Sequence, residues 1–382
     1  MLMKDLLEIR NEIDEVDRKI LELFEYRMEL TQAVARYKKE SGKPIYDRKR
    51  EEEKIASLKA IAKDKNNHKA VEDLFLQIMS LSRRLQYTLL DNFDDLGFTS
   101  VNKLSPQQGT KVAFYGEIGS YTEQAMLQYF SAEVDGISMG TFEEVMQAVK
   151  EGQVDYGVLP IENSSTGSVT DIYDLLADYD NYIIGEHVIK IEHCLWGLPQ
   201  AKIEDIKRIY SHRQGLMQCS KFLKKHGSIE VIDGGSTAGC AKRIMEEADI
   251  TQAAIASRRA GEYYGLKLLN DSIHNEDNNS TRFIIITNRK IFYKEATRTG
   301  ICFTLPHRSG ALYHMLSYFI YNNINMTRIE SRPIPGKTFE YRFFVDIEGS
   351  LMHPSVKNAL HCIKQEASDV KILGSYIHGY KK

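Results

Sequence analysis

Between residues 4 and 40, apolar side chains recur in alternating steps of four and three: Ile9, Ile13, Val16, Ile20, Leu23, then Arg27, Leu30, Val34 and Tyr37. This rhythm lays one stripe along a single long helix. At 1.5 Å per residue the helix would run about 55 Å, more than one small domain can cover. The stripe therefore predicts a second copy of the chain packed along it. Ser41-Gly42-Lys43-Pro44 ends the helix, because glycine frees the backbone and proline cannot continue it. Helical patterns resume over 47–63 and 69–90, so residues 1–92 read as all-α.

Residues 93–110 lose periodicity and collect Gly, Ser, Asn, Gln and Pro, the texture of a linker. Short apolar runs then alternate with helical stretches. Strands are predicted at Lys111–Tyr115, Tyr156–Leu159, Ile183–Lys190, Arg208–Ser211, Ile229–Ile232, Ala253–Ala256 and Phe283–Thr287. Helices are predicted at Glu123–Phe130, Thr141–Glu151, Gln214–His226, Ala238–Glu247 and Ser257–Tyr264. The alternation predicts an α/β domain over 111–290. From 296 to 382 the order becomes strand (Thr299–Leu305), helix (Ala311–Asn322), strands at 325–332 and 339–348, helix 354–367 and strand 370–376. That β-α-β-β-α-β order is the ferredoxin-like unit. The chain is thus expected to be multidomain: all-α, then α/β, then ferredoxin-like.

Composition narrows the class. In 382 residues, 50 Lys+Arg against 53 Asp+Glu leave a net charge of −3, which gives no electrostatic reason to expect nucleic acid or an acidic membrane as a partner. No apolar run approaches a bilayer span, and the N-terminus turns acidic and helical too early for a signal peptide. The five cysteines (Cys194, Cys219, Cys240, Cys302, Cys362) are scattered without C-x-x-C spacing. Reduced thiols in a cytoplasmic protein, with no zinc site, are the expectation.

The candidate chemistry of the first segment lies where charge interrupts the apolar stripe. Arg27 occupies a seam position, and a buried arginine needs an anionic partner or ligand. Lys38, eleven residues on, is rotated only about 20° from it. Arg10 is about 100° away around the helix and could reach only the pocket of an antiparallel partner. Asp47, Arg50 and Glu51 share a face of the second helix, as Ser82 and Gln86 do on the third. The segment resembles the all-helical class of chorismate mutase, whose substrate-binding pattern is matched at all eight positions. The resemblance implies that Arg10 of one subunit and Arg27 of the other clamp the two carboxylates of chorismate, with Arg50 beside them. Asp47 and Glu51 would hold the hydroxyl end, Ser82 would line the site, and Lys38 and Gln86 would donate to the ether oxygen. The chemistry suits such a set: a one-step pericyclic shift needs a held conformer and stabilised charge on the breaking C–O bond, with no proton transfer.

In the middle segment, polar loops follow apolar strands: Gly116-Glu-Ile-Gly119-Ser120-Tyr121, Pro160-Ile-Glu162-Asn163, Ser211-His212-Arg213-Gln214 and Gly235-Ser236-Thr237-Ala238. Strand-end loops of an α/β sheet converge on one crevice. Neither G-x-G-x-x-G nor G-x-x-x-x-G-K is present, so no nucleotide cofactor is indicated, and Gly234–Ala238 misses the nucleophile-elbow pattern. With Gln218-Cys-Ser-Lys and Thr281-Arg282-Phe283, these pieces resemble prephenate dehydratase across 110–290. The resemblance implies two α/β lobes around a cleft, similar to periplasmic binding proteins, with Thr281 as the key catalytic hydroxyl. Gly119, Ser120, Glu162, Asn163, Ser211, His212, Gln218, Ser236, Thr237 and Arg282 would bind substrate. Two positions depart from the family pattern: Arg213 stands for a usual proline, and Gly239 for a frequent acidic residue. The reaction requires a proton for the departing ring hydroxyl and an oriented carboxylate, so no metal or other cofactor is expected.

Gly310-Ala311-Leu312-Tyr313 and Glu330-Ser331-Arg332-Pro333 resemble motifs of the ACT domain of phenylalanine-regulated dehydratases. The resemblance implies that phenylalanine binds between paired domains near Gly310, Ala311, Leu312, Glu330 and Ser331. Taken together, these features predict a homodimer or larger homo-oligomer that converts chorismate to prephenate and prephenate to phenylpyruvate under phenylalanine control. The alternatives are a dehydratase, for prephenate or arogenate, that keeps its helices for dimerisation, and a non-catalytic amino-acid sensor.

Overall fold

The computed structural model of the protein describes residues 5–90, 96–102, 106–130, 134–306 and 310–379. Parts of the expected linker, 93–95 and 103–105, lie outside the described residues. The chain forms two compact units, one of residues 1–97 with 303–370 and the other of 98–302 with 371–382. The three sequential segments are therefore not three separately packed bodies.

In the first unit, helices α1 (Leu6–Ser41), α2 (Arg48–Ile61) and α3 (His68–Leu89) follow the sequence pattern closely. Gly42, at φ +66°, takes the left-handed conformation that closes α1. Asp47 caps α2 through its side chain, 3.0 Å from Arg50 N. Within the chain α1 buries only Thr31 and Ala35, and a small core of Ala35, Ile45, Tyr87 and Leu90 ties it to α3. The stripe Ile9, Ile13, Val16, Ile20, Leu23 stays bare, at 41–68 % exposure. Arg27 leaves that stripe: it stands one turn before Thr31, on the strip that faces α3.

The C-terminal elements run Arg298–Thr304, Ala311–Tyr321, Met326–Pro333, Tyr341–Glu348, Pro354–Glu366 and Asp369–Tyr376, the expected β-α-β-β-α-β order. Their central hairpin and both helices belong to the first unit. Helix Pro354–Glu366 packs on α3 around a buried polar knot. Asn358 donates to Ser80 O (3.0 Å) and Asn322 Oδ1 (2.7 Å) and accepts from Arg83 Nε at 3.2 Å.

Among the described residues, the second unit holds two large sheets and one two-stranded ladder. Its larger sheet has the order Arg298–Cys302, Lys371–Tyr376, Tyr182–Lys190, Ser280–Thr287, Tyr156–Asn163, Lys111–Tyr115, Asp135–Met139. The smaller has the order Lys267–Asn270, Cys194–Gly197, Gln252–Ala256, Arg208–Ser211, Glu230–Asp233. Each sheet has its own apolar core, so this unit is two-lobed. Several elements differ from expectation. The expected linker contributes strand Thr99–Val101, parallel to Ile291–Tyr293. Helix Gln214–His226 breaks into Arg213–Gln218 and Ser220–Lys225, because the Asn275 side chain takes up Met217 O, Ser220 Oγ and Lys221 N at the break. Strands Asp135–Met139, Cys194–Gly197 and Lys267–Asn270 and helix Thr170–Asp178 are additional. All five cysteines are buried free thiols; burial pushes Cys194, Cys240 and Cys362 up to about 11 and Cys219 to about 12.

Candidate active sites

Arg27, Thr31, Ala35 and Lys38 form one strip because steps of three and four residues return to the same side of a helix. Facing them, α3 buries Ser82 and Gln86. Arg27 donates to Ser82 Oγ, and no carboxylate lies within ion-pair distance of it among the described residues. Burial lowers its pKa, with Glu51 pulling the other way. Lys38 donates to Ile45 O. Its pKa is also lowered, first by burial and with Arg83 adding to it, against Asp47 and Glu51. Gln86 Nε2 reaches Ser82 O at 3.3 Å, while its buried Oε1 has no partner. Two half-buried cations and a half-satisfied buried amide are therefore held together at the α1–α3 junction. Such groups are costly unless a ligand engages them.

The other positions of the set are dispersed. Arg10 and Arg50 are exposed. Asp47 is engaged as the α2 cap. Glu51 pairs with Arg83, whose side chain is 4 % exposed, and both line a cavity of about 560 Å³ with Tyr46, Lys59 and Tyr318. Arg83 was not singled out in the sequence. It is buried because Asn358, distant along the chain, packs over it.

In the second unit, a cavity of about 450 Å³ opens between the lobes, within the range typical of small-molecule sites. Ser120, Asn163, His212, Gln218, Ser236, Thr237 and Thr281 all line it. Helix starts account for several of them: the His212 ring accepts from Gln214 N (3.2 Å), and Ser236 Oγ accepts from Gly239 N (2.9 Å). A Cβ at residue 239 would stand 2.5 Å from Ser236 Oγ, so glycine there leaves the cap undisturbed. Thr281 Oγ1 accepts from Asn163 Nδ2 at 2.9 Å.

Gly119, Glu162, Ser211 and Arg282 are not on the cavity wall. Ser211 is fully buried and donates to Ile255 O at 2.7 Å. Thr281 pairs with Asn163 and Arg282 with Glu162 in the antiparallel ladder. Successive strand residues face opposite sides, so the first pair looks into the cavity and the second away from it. Behind the sheet, Arg282 bridges Glu162 (3.1 Å) and the fully buried Glu186 (3.0 Å). Burial acts to raise the Glu186 carboxyl, but Arg282, Gly379 N–H, Arg298 and His378 outweigh it and hold it below the usual range.

Gly119, at φ +88°, meets Ala260, whose Cα would be 2.7 Å from an added Cβ. Its carbonyl also accepts from Ser257 Oγ at 2.8 Å. Gly119→Ala should cost about 2 kcal/mol of stability from the strained backbone and the overlap, measurable as a lowered denaturant midpoint at unchanged slope.

Sequence reading missed His193, Ser165 and Asn279. His193 lines the cavity yet is 2 % exposed. The polar pair Glu192-His193 between Ile191 and Cys194 was its only signal. Ser165 and Asn279 hydrogen-bond around Asn163.

Comparison with known proteins agrees with this division. The chorismate mutase type II family matches residues 9–87 and the prephenate dehydratase family matches 112–291. A bifunctional chorismate mutase/prephenate dehydratase of Pseudomonas aeruginosa is 35 % identical over 96 % of this chain and 96 % of its own. The structure of an Arthrobacter aurescens prephenate dehydratase in complex with L-Phe is 30 % identical, covering 70 % of this chain and 90 % of that one, with a TM-score of 0.66. A quorum-quenching acylase has similar values: 30 % identity, 70 % of this chain, 97 % of that one and a TM-score of 0.65. Fold alone thus does not choose the activity; relatives matching the whole length do. Helical mutase and two-lobed dehydratase on one chain define a two-site enzyme. The chain belongs to the bifunctional chorismate mutase/prephenate dehydratase family, and its two reactions turn chorismate into prephenate and prephenate into phenylpyruvate.

Proposed function

We propose that the residues gathered in each unit divide the work as follows. Arg27 and Arg50, with Arg10 of a second copy, hold the carboxylates of chorismate, while Asp47 and Glu51 hold its hydroxyl end beside Ser82. Lys38 and Gln86 donate to the ether oxygen as the C–O bond breaks. Support comes from the two desolvated cations and the half-satisfied Gln86 amide at the α1–α3 junction. The bare stripe of α1 supports a homodimer, because it leaves exposed apolar side chains along much of a helix of 36 residues.

In the dehydratase, Thr281 addresses the departing hydroxyl, and Ser120, Asn163, His212, Gln218, Ser236 and Thr237 orient the substrate. Glu162 and Arg282 act from behind the sheet, and Gly119 and Ser211 act by shaping it. The observation that carries this reading is the Thr281 hydroxyl held by Asn163 on the cavity wall. The C-terminal segment is an ACT domain that takes phenylalanine. Gly310, at φ +76°, starts helix Ala311–Tyr321 with Ala311 and Leu312 in its first turn. Glu330 and Ser331 lie on strand Met326–Pro333. The enzyme works in the cytoplasm.

Purified chain given chorismate alone should form prephenate and then phenylpyruvate, and added phenylalanine should slow the second step. Phenylpyruvate from prephenate but none from chorismate would leave the helices as a dimerising device only. Turnover indifferent to phenylalanine would remove the regulatory role.

A further inference from the structure

The hydrogen bonds around Thr281 have a forced direction. Asn163 Oδ1 receives two backbone donors, Ser165 N (3.1 Å) and Thr166 N (3.2 Å). Backbone N–H groups can only donate, so this end of the amide is the oxygen. The other end is the amide nitrogen, which donates to Thr281 Oγ1 at 2.9 Å and to Asn279 Oδ1 at 2.8 Å.

Ser165 Oγ lies 2.7 Å from the same Asn163 oxygen and must spend its one hydrogen there or on Asn279 Oδ1. The contact between Ser165 Oγ and Gln218 at 3.0 Å therefore has Gln218 Nε2 as donor. That turns Gln218 Oε1 toward His193 Nε2, 2.9 Å away, and an amide oxygen only accepts. His193 must carry its hydrogen on Nε2. On the ring's other side Tyr121 Oη lies 3.3 Å from Nδ1 and 2.6 Å from Glu192 O, with one hydrogen to give to either acceptor.

We propose that His193 is a positioning residue of the dehydratase, heading a one-way hydrogen-bond chain through Gln218, Ser165 and Asn163 that ends on Thr281 Oγ1 and leaves the Thr281 hydrogen to point into the cavity. Each donor in such a chain polarises the next. Thr281 becomes a better donor to the ring hydroxyl that leaves, since its own oxygen is already accepting. His193 also fixes which end of Gln218 meets the cavity. Without it the amide is free to reverse, and the run of donors toward Thr281 is broken. The proposal rests on Thr281 being the hydroxyl that addresses substrate.

The test uses the full chain, with mutase activity measured on the same samples. His193→Leu should lower dehydratase kcat by about tenfold, one hydrogen bond's worth, with KM and mutase turnover unchanged. His193→Gln, whose amide nitrogen can reach the place of Nε2 and donate to Gln218, should restore most of the loss. His193→Asn, too short to reach, should not. Undiminished kcat in His193→Leu would overturn the chain, as would His193→Gln failing as fully as His193→Leu. Parallel loss of both activities would make His193 merely structural and would overturn it too. Thr281→Ala, run alongside, separates the two claims. Full activity there sinks the Thr281 reading itself, whereas a damaged Thr281→Ala with an intact His193→Leu sinks only the chain.

Discussion

Thr281→Ala should lower phenylpyruvate formation from prephenate about 10²–10⁴-fold, the usual worth of a placed proton-transfer group. Prephenate loses its carboxylate as CO₂ while the ring hydroxyl departs, and that oxygen needs a proton. Thr281 carries the hydroxyl that Asn163 holds at the cavity wall, 2.9 Å from Nδ2. Alanine removes the donor and leaves an Asn163 N–H without that acceptor. The side chain is 9 % exposed and replaces little core volume, so the fold should survive. Prephenate formation from chorismate, measured on the same preparation, is the internal control and should not change. Thr281→Ser keeps hydroxyl and hydrogen bond and should retain part of the turnover. Equal loss of both activities in Thr281→Ala would indicate unfolding and remove the assignment.

Lys38→Ala should lower mutase kcat about 10²–10³-fold, the range seen when one donor to developing charge is removed, with a much smaller change in KM. The ammonium now rests on Ile45 O, a neutral acceptor that an ether oxygen gaining negative charge can outcompete. The pH dependence follows from its surroundings. Burial, with help from Arg83, lowers the Lys38 pKa despite Asp47 and Glu51. The cation is the useful form and deprotonates as pH rises. Mutase kcat should therefore decline on the alkaline side, earlier than an ordinary lysine would allow, and Lys38→Ala should lack that limb. A variant with wild-type turnover would end the assignment.

The long helix, its stop at Gly42 and the order of helices and strands were readable because each rests on local periodicity and backbone restriction. The Thr281 strand shows where such reading fell short. Taken as starting at Phe283, it gave no reason to send Thr281 and Arg282 to opposite faces. Begun at Ser280 and paired Thr281 with Asn163, Arg282 with Glu162, the same residues divide into a cavity wall and an ion cluster behind it. His193 carries no local mark beyond the polar pair it forms with Glu192, and Arg83 carries none. Their burial comes from Tyr121 and Gln218 in one case, and from Glu51 and Asn358 in the other, partners scattered across the chain.

What the amino-acid sequence determined by itself is the list of groups and the elements bearing them: an apolar stripe, two cations three turns apart on the same helix side, hydroxyls and amides at strand ends. Tertiary structure decided which of those groups meet. Direction of side chains and the sense of each hydrogen bond depend on long-range partners, because a donor's role is set by what lies across from it and not by its neighbours in the chain.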